Sequence, residues 1–91
     1  MEFKESRGIY FQISEYFIER ILSGELKQDE KLPSIRDTAS DMGVNPNTVA
    51  RAYGFLQEKE IIQNRRGIGY FISPDGIERA KKWKKDDFVK T

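Results

Sequence analysis

The sequence predicts a mainly helical α+β domain in which three helices form the core, a two-stranded β-hairpin follows them, and a further helix closes the chain. Three runs carry this reading. Leu32-Pro33-Ser34-Ile35-Arg36 opens one short helix, Gly43-Val44-Asn45-Pro46-Asn47-Thr48-Val49-Ala50-Arg51-Ala52-Tyr53 separates it from a second, and Arg65-Arg66-Gly67-Ile68-Gly69-Tyr70-Phe71 turns one strand into another. Two capped helices joined by a tight turn and followed by a basic hairpin have the layout of a winged helix-turn-helix.

The first helix follows from Ile13, Phe17, Ile18, Ile21 and Leu22, whose spacing lays a broad apolar stripe along a helix from about Ile9 to Ser23. Gly24 stands where its C′ residue belongs. Glu25 to Lys31 is a polar connector, and Lys31-Leu32-Pro33 adds a short extended piece, because a residue before proline is pushed out of the helical region. Ser34 reads as an N-cap, with Asp37 three residues on as the acidic partner of a capping box. That helix runs from Ile35 to about Met42 and stops at Gly43.

The next start combines Asn45 as N-cap, Pro46 at the first helical position, and Val44 with Val49 as a hydrophobic staple. The helix should reach about Lys59, with Val49, Ala52, Tyr53 and Leu56 on one side. Asn47, Thr48 and Arg51 cluster within about 100° on the other, given 3.6 residues per turn. One face packs and the other is free to read. Phe55 is expected to meet the hairpin or the first helix. Ile61–Arg65 and Tyr70–Ser73 are strand-like runs, joined by Arg66-Gly67-Ile68-Gly69, whose glycines can take positive φ. Beyond Pro74-Asp75-Gly76, helical spacing returns from Ile77 to about Lys85, with Ile77, Ala80 and Trp83 on one stripe.

Ninety-one residues support one small domain with a modest core. We place it at residues 8–74, with the helix-turn-helix at about 34–59 and the wing at about 61–73. Residues 75–91 read as a C-terminal helix, serving either as a dimerisation segment or as the start of a longer effector region. Ile77, Ala80, Trp83 and Phe88 there either meet a second copy or cover the core. With no cysteine and no histidine, the sequence offers no disulfide, no thiolate or imidazole metal site, and no Ser-His or Cys-His nucleophile. An enzyme is therefore not expected, nor a cofactor. No apolar run approaches the roughly 20 residues of a membrane span, so the expected compartment is the cytoplasm and no membrane partner is expected.

The net charge of +1 conceals an asymmetry: residues 1–46 carry six Lys/Arg against nine Asp/Glu, whereas residues 47–91 carry ten against six. The positive half holds the third helix and the hairpin, which suits a polyanionic partner. Asn47 can pair bidentately with adenine, Thr48 can offer a hydroxyl and a methyl to base edges, and Arg51 can reach guanine or a phosphate. Ser34 and the exposed N–H groups beside it form a phosphate cradle, to which Arg36 adds a charge-assisted contact. At the hairpin tip Gly67 and Gly69 allow close approach, while Arg65 or Arg66 can enter the minor groove or clamp a phosphate. Asn45 is read as a cap rather than a base reader, and Lys81, Lys82, Lys84 and Lys85 as an exposed helix face.

Together Ile9-Tyr10-Phe11-Gln12-Ile13, Gly24-Glu25-Leu26, Leu32-Pro33-Ser34-Ile35-Arg36, Asn47-Thr48-Val49-Ala50-Arg51-Ala52-Tyr53, Leu56 and Arg66-Gly67-Ile68-Gly69-Tyr70-Phe71 resemble the N-terminal domain of the GntR family of bacterial transcription regulators. The Asn-Pro-Asn-Thr-Val run is most similar to the YtrA subgroup, whose C-terminal part is short and helical. The resemblance implies a winged helix that binds double-stranded operator DNA as a homodimer, usually with an effector-binding C-terminal domain whose ligand is unknown here. It implies a sequence-specific regulator, read as a repressor that occupies an operator. DNA contacts carry over to Arg36, Asn47, Thr48, Arg66 and Gly67, and more weakly to Ser34 and Arg51.

Four positions depart from the family pattern. Pro46 and Ala50 stand where many relatives carry arginine, Thr38 where a larger apolar residue is usual, and Glu60 where glycine usually follows the third helix. The last predicts a helix end without the easy left-handed cap. Two other readings keep the fold: a targeting module of a larger pyridoxal-phosphate fusion protein, as some relatives are, or a winged helix used for protein contacts.

Overall fold

The computed structural model describes residues 8–90, with side chains through Asp86. Its order is α1 (Gly8–Leu22), α2 (Ile35–Met42), α3 (Pro46–Glu58), β1 (Ile62–Arg65), β2 (Gly69–Ile72) and α4 (Gly76–Lys90). The mainly helical winged architecture expected from the sequence is the one observed.

α1 buries Ile13, Phe17, Ile18 and Ile21 against Val49, Ala52, Tyr53 and Leu56 of α3. Ser14 of α1 meets the Ala52 backbone of α3. Ser14 is fully buried there, and its hydroxyl lies 2.9 Å from the Tyr10 carbonyl oxygen and 3.3 Å from that of Ala52. A buried hydroxyl needs such acceptors, since leaving it unsatisfied costs about 1–3 kcal/mol.

The caps of α2 and α3 form where the sequence placed them. Ser34 Oγ accepts the Asp37 N–H at 3.0 Å, and Gly43 ends α2 in the left-handed region. Asn45 Oδ1 accepts the Asn47 N–H at 2.7 Å, with Pro46 in the first turn. The end of α3 corrects an expectation. Glu60 does adopt the left-handed conformation, at φ 61°. The Glu60 N–H donates to Gln57 O and the Ile61 N–H to Leu56 O, both at 2.9 Å, so a Schellman end forms without glycine. The tertiary frame holds it: Ile61 is fully buried immediately after the turn.

β1 and β2 pair antiparallel, with Ile62 opposite Ile72 and Arg65 opposite Gly69. β1 thus starts one residue later than expected and ends where expected, while β2 lies one residue earlier than expected at both ends. Lys31 bridges Phe71 on the other edge of β2, where Leu32 N–H donates to Tyr70 O at 2.8 Å and Ile72 N–H to Glu30 O at 2.9 Å. This is the extended piece expected before Pro33. It ties the entry of α2 to the wing.

α4 begins at Gly76 and continues to Lys90, beyond the expected end near Lys85. Its apolar stripe fades there, but no Gly or Pro follows to break the helix. Gly76 is required by close approach, because a Cβ there would lie 2.3 Å from the Ile61 carbonyl oxygen. Ala80 is fully buried, Ile77 and Trp83 pack on the core, and Lys84 pairs with Glu19 of α1 at 2.7 Å. Ile77, Ala80 and Trp83 therefore cover the domain's own core, whereas the Phe88 side chain lies outside the described residues.

Candidate nucleic-acid interface

Tyr53 positions the three elements that carry the candidate residues. Its ring is fully buried, 5.5 Å from Phe17 of α1 and 4.9 Å from Tyr70 of β2, centroid to centroid. Its hydroxyl donates to the Pro33 carbonyl oxygen at 2.7 Å, one residue before the α2 cap. That uses its single proton, so the 2.9 Å contact with Thr38 Oγ1 has the threonine as donor. Thr38, in place of a larger apolar residue, is thus buried and satisfied. Burial pushes the Tyr53 phenol up to about 12, a rise that the Thr38 hydroxyl partly opposes.

At the N-terminus of α2, Ser34 and Arg36 are exposed. Ser34 Oγ is an acceptor in the cap, so its own proton remains for a ligand. The N–H groups of Ile35 and Arg36 are first-turn donors without intrahelical acceptors. Arg36 has no ion pair among the described residues.

On α3, Asn47 is exposed and Thr48 half-buried at the first turn. The Asn47 N–H is used by the cap, and no hydrogen bond among the described residues engages its side-chain amide. Arg51 is exposed but held, its guanidinium stacked over the Tyr10 ring at 4.2 Å. Phe55, one turn on, meets Tyr10 and Phe11 of α1 and Trp83 of α4. Of the two contacts expected for it, the first helix is the one made.

The wing separates its two arginines. Arg65 folds back along the hairpin, with its guanidinium 4.3 Å from the Phe71 ring and 3.8 Å from Asp29 Oδ1. With its amide oxygen facing Arg65, Gln63 accepts from Nη2 at 3.0 Å and Nε at 3.3 Å. Arg66 is exposed at the tip with no ion pair among the described residues. The Ile68 N–H closes the turn onto Arg65 O at 2.8 Å, with Gly67 at φ 79° in the position of a type II turn that demands positive φ. Ile68 is 59% exposed beside it. Gly69, at φ 136°, lets the Lys31 side chain cross it: a Cβ there would lie 2.8 Å from Lys31 Cε.

Sequence reasoning assigned no part in the interface to Tyr10 or Lys31, and no link among Pro33, Tyr53 and Thr38. Tyr10 was legible in part, since it precedes Ser14 and Phe17 on the α1 stripe. The others depend on pairings between elements distant in sequence. Among the described residues no cluster of metal-ligating side chains occurs, and no helix is long and apolar enough to cross a membrane.

Residues 9–72 match the family described as bacterial regulatory proteins, gntR family. The transcriptional repressor YtrA of Bacillus subtilis is 43% identical over 70 residues, covering 77% of this chain and 54% of that protein. A GntR family transcriptional regulator from Listeria monocytogenes superposes with a TM-score of 0.84 at 36% identity, over 97% of this chain and 79% of that one. S. agalactiae BusR, solved in complex with its busAB promoter DNA, superposes at 0.80 with 25% identity, over 92% of this chain and 40% of that one. The chain spans 54–60% of the length of the first curated relatives it matches. A family match over most of the chain, with the winged fold to accompany it, places the protein in the gntR family of bacterial regulatory proteins.

Proposed function

We propose that this chain is the DNA-binding domain of a sequence-specific transcription regulator, a repressor that acts by occupying an operator. The observation that carries the reading is the joint attachment of the α2 entry, α3 and the wing to Tyr53. Family membership and the relatives named above as a repressor and as a promoter-DNA complex support it. In this reading α3 enters the major groove and presents Asn47 and Thr48 to base edges, with Arg51 on a guanine or a phosphate. Ser34, Arg36 and the first N–H groups of α2 hold a phosphate. Arg66 at the tip, with Gly67 allowing close approach, contacts the minor groove or backbone, while the space over Gly69 is taken by Lys31. Arg65 braces the wing through Phe71, Gln63 and Asp29, and reaches DNA only by giving up its contacts with Gln63 and Asp29.

The protein acts as a homodimer in the cytoplasm, on a pseudo-palindromic site with half-sites about one helical turn apart. It binds rather than catalyses. Fluorescence anisotropy against a random-sequence duplex pool, repeated over a range of salt, tests the reading. Binding that weakens linearly in log–log form as salt rises is expected. A chain that leaves the anisotropy of the duplex pool unchanged even at low salt is not a DNA-binding domain.

A further inference from the structure

We infer that Tyr10, on α1 and outside the helix-turn-helix, is a positioning residue for DNA recognition that pre-aims Arg51. The inference rests on the proposed use of α3 as the reading helix. Arg51 lies between Asn47 and Thr48 in projection, about 40° and about 60° from them at 3.6 residues per turn. It therefore points along the middle of the polar face. Its guanidinium is stacked 4.2 Å over the Tyr10 ring, and no hydrogen bond among the described residues engages its donors.

Stacking leaves the chemistry of recognition available. The ring covers a face of the guanidinium, whereas the five N–H donors point outward in its plane. A stacked arginine can thus still present its fork to paired acceptors. A free arginine side chain gives up rotamer entropy when it is immobilised. Held on Tyr10, Arg51 has met part of that cost before DNA arrives. Tyr10 is itself fixed, by edge contacts to Phe11 at 6.4 Å and Phe55 at 6.2 Å. Its helix is pinned to α3 through Ser14.

The ligand chemistry is a pair of adjacent acceptors, found on a phosphate and on the O6/N7 edge of guanine. Arg51→Ala separates the two. Loss of preference at one G·C pair assigns guanine, while an equal loss on all duplexes with a salt slope smaller by about 0.9 assigns a phosphate.

The test uses the full chain and a duplex selected from a random pool by the wild-type protein. Tyr10→Phe keeps the ring and should bind within about twofold of wild type. Tyr10→Leu should bind about three- to tenfold more weakly. That loss should vanish when Tyr10→Leu is made in the Arg51→Ala background. An equal loss in both backgrounds would show that Tyr10 acts through packing alone and would overturn the inference. A second readout needs no DNA: the Arg51 side-chain NH resonance should be ring-current shifted in wild type and Tyr10→Phe, and an unshifted resonance in both overturns the inference even if Tyr10→Leu fails to fold. A wild-type chain that selects no duplex defeats the functional reading itself, and with it this one.

Discussion

Tyr53, in the middle of α3, donates its hydroxyl proton to the Pro33 carbonyl oxygen at 2.7 Å, joining the reading helix to the entry of the helix before it. Tyr53→Phe leaves that carbonyl and the Thr38 hydroxyl without their partner in a buried site. Urea denaturation should show a loss of about 1–3 kcal/mol. Adding Thr38→Val should recover part of it, because removing both polar partners is less costly than orphaning one.

The same hydroxyl makes stability fall in alkali. The folded-state pKa of Tyr53, about 12, exceeds its ordinary value of 10.0, so the folded protein keeps this proton after the unfolded chain has released it. The contribution is complete below pH 10 and is lost as pH rises from there through about 12. Denaturation midpoints of wild type and Tyr53→Phe should therefore converge over that interval. Parallel midpoint curves would show that burial of this phenol does not couple to folding.

Glu60 pays a conformational cost in the left-handed region that glycine avoids. Glu60→Gly should stabilise the domain by about 0.5–1 kcal/mol, after allowance for its greater unfolded-state entropy and the loss of an exposed 3.3 Å pair with Arg79. Thermal melting measures this, and a lower Tm would show that the Arg79 contact outweighs the backbone term.

Gly76→Ala should act in the opposite direction. The added methyl would meet the Ile61 backbone oxygen at 2.3 Å, which cannot turn aside as a side chain could. Overpacking of this kind costs about 1–3 kcal/mol. Hydrogen exchange should then quicken at α4 and at the end of α3.

Contacts with DNA separate by their salt dependence. Arg36→Ala and Arg66→Ala should weaken binding on every duplex and lower the slope of log K against log salt by about 0.9 each. Arg65→Ala should change it less, since Arg65 is engaged with Phe71, Gln63 and Asp29. Unchanged affinity in Arg36→Ala and Arg66→Ala would remove both from the interface.

Much of the fold was legible because its signals are local. Ser34 and Asn45 mark helix starts through bonds to residues three and two positions away, Pro46 through its fixed φ, and Gly43 marks an end within one turn. Glu60 was misread for the complementary reason. Its conformation is imposed by the burial of Ile61, which no neighbouring residue announces. At the candidate interface the residue types were legible, but their partners were not: Arg51 on Tyr10 spans two helices, and Lys31 across Gly69 joins a connector to the wing. Arg65 and Arg66 are equivalent in sequence and become distinct only when pleating directs one onto the hairpin face and the turn exposes the other.

Selection of bound duplexes from a random pool, run in parallel with wild type and Asn47→Ala, tests most directly whether α3 reads sequence. The wild-type pool should converge on a two-fold symmetric site with half-sites about one helical turn apart, and the variant should lose about 1–3 kcal/mol of preference at one position in each half-site. A wild-type pool that stays random through successive rounds, or a variant pool identical to it, would contradict base reading by this helix.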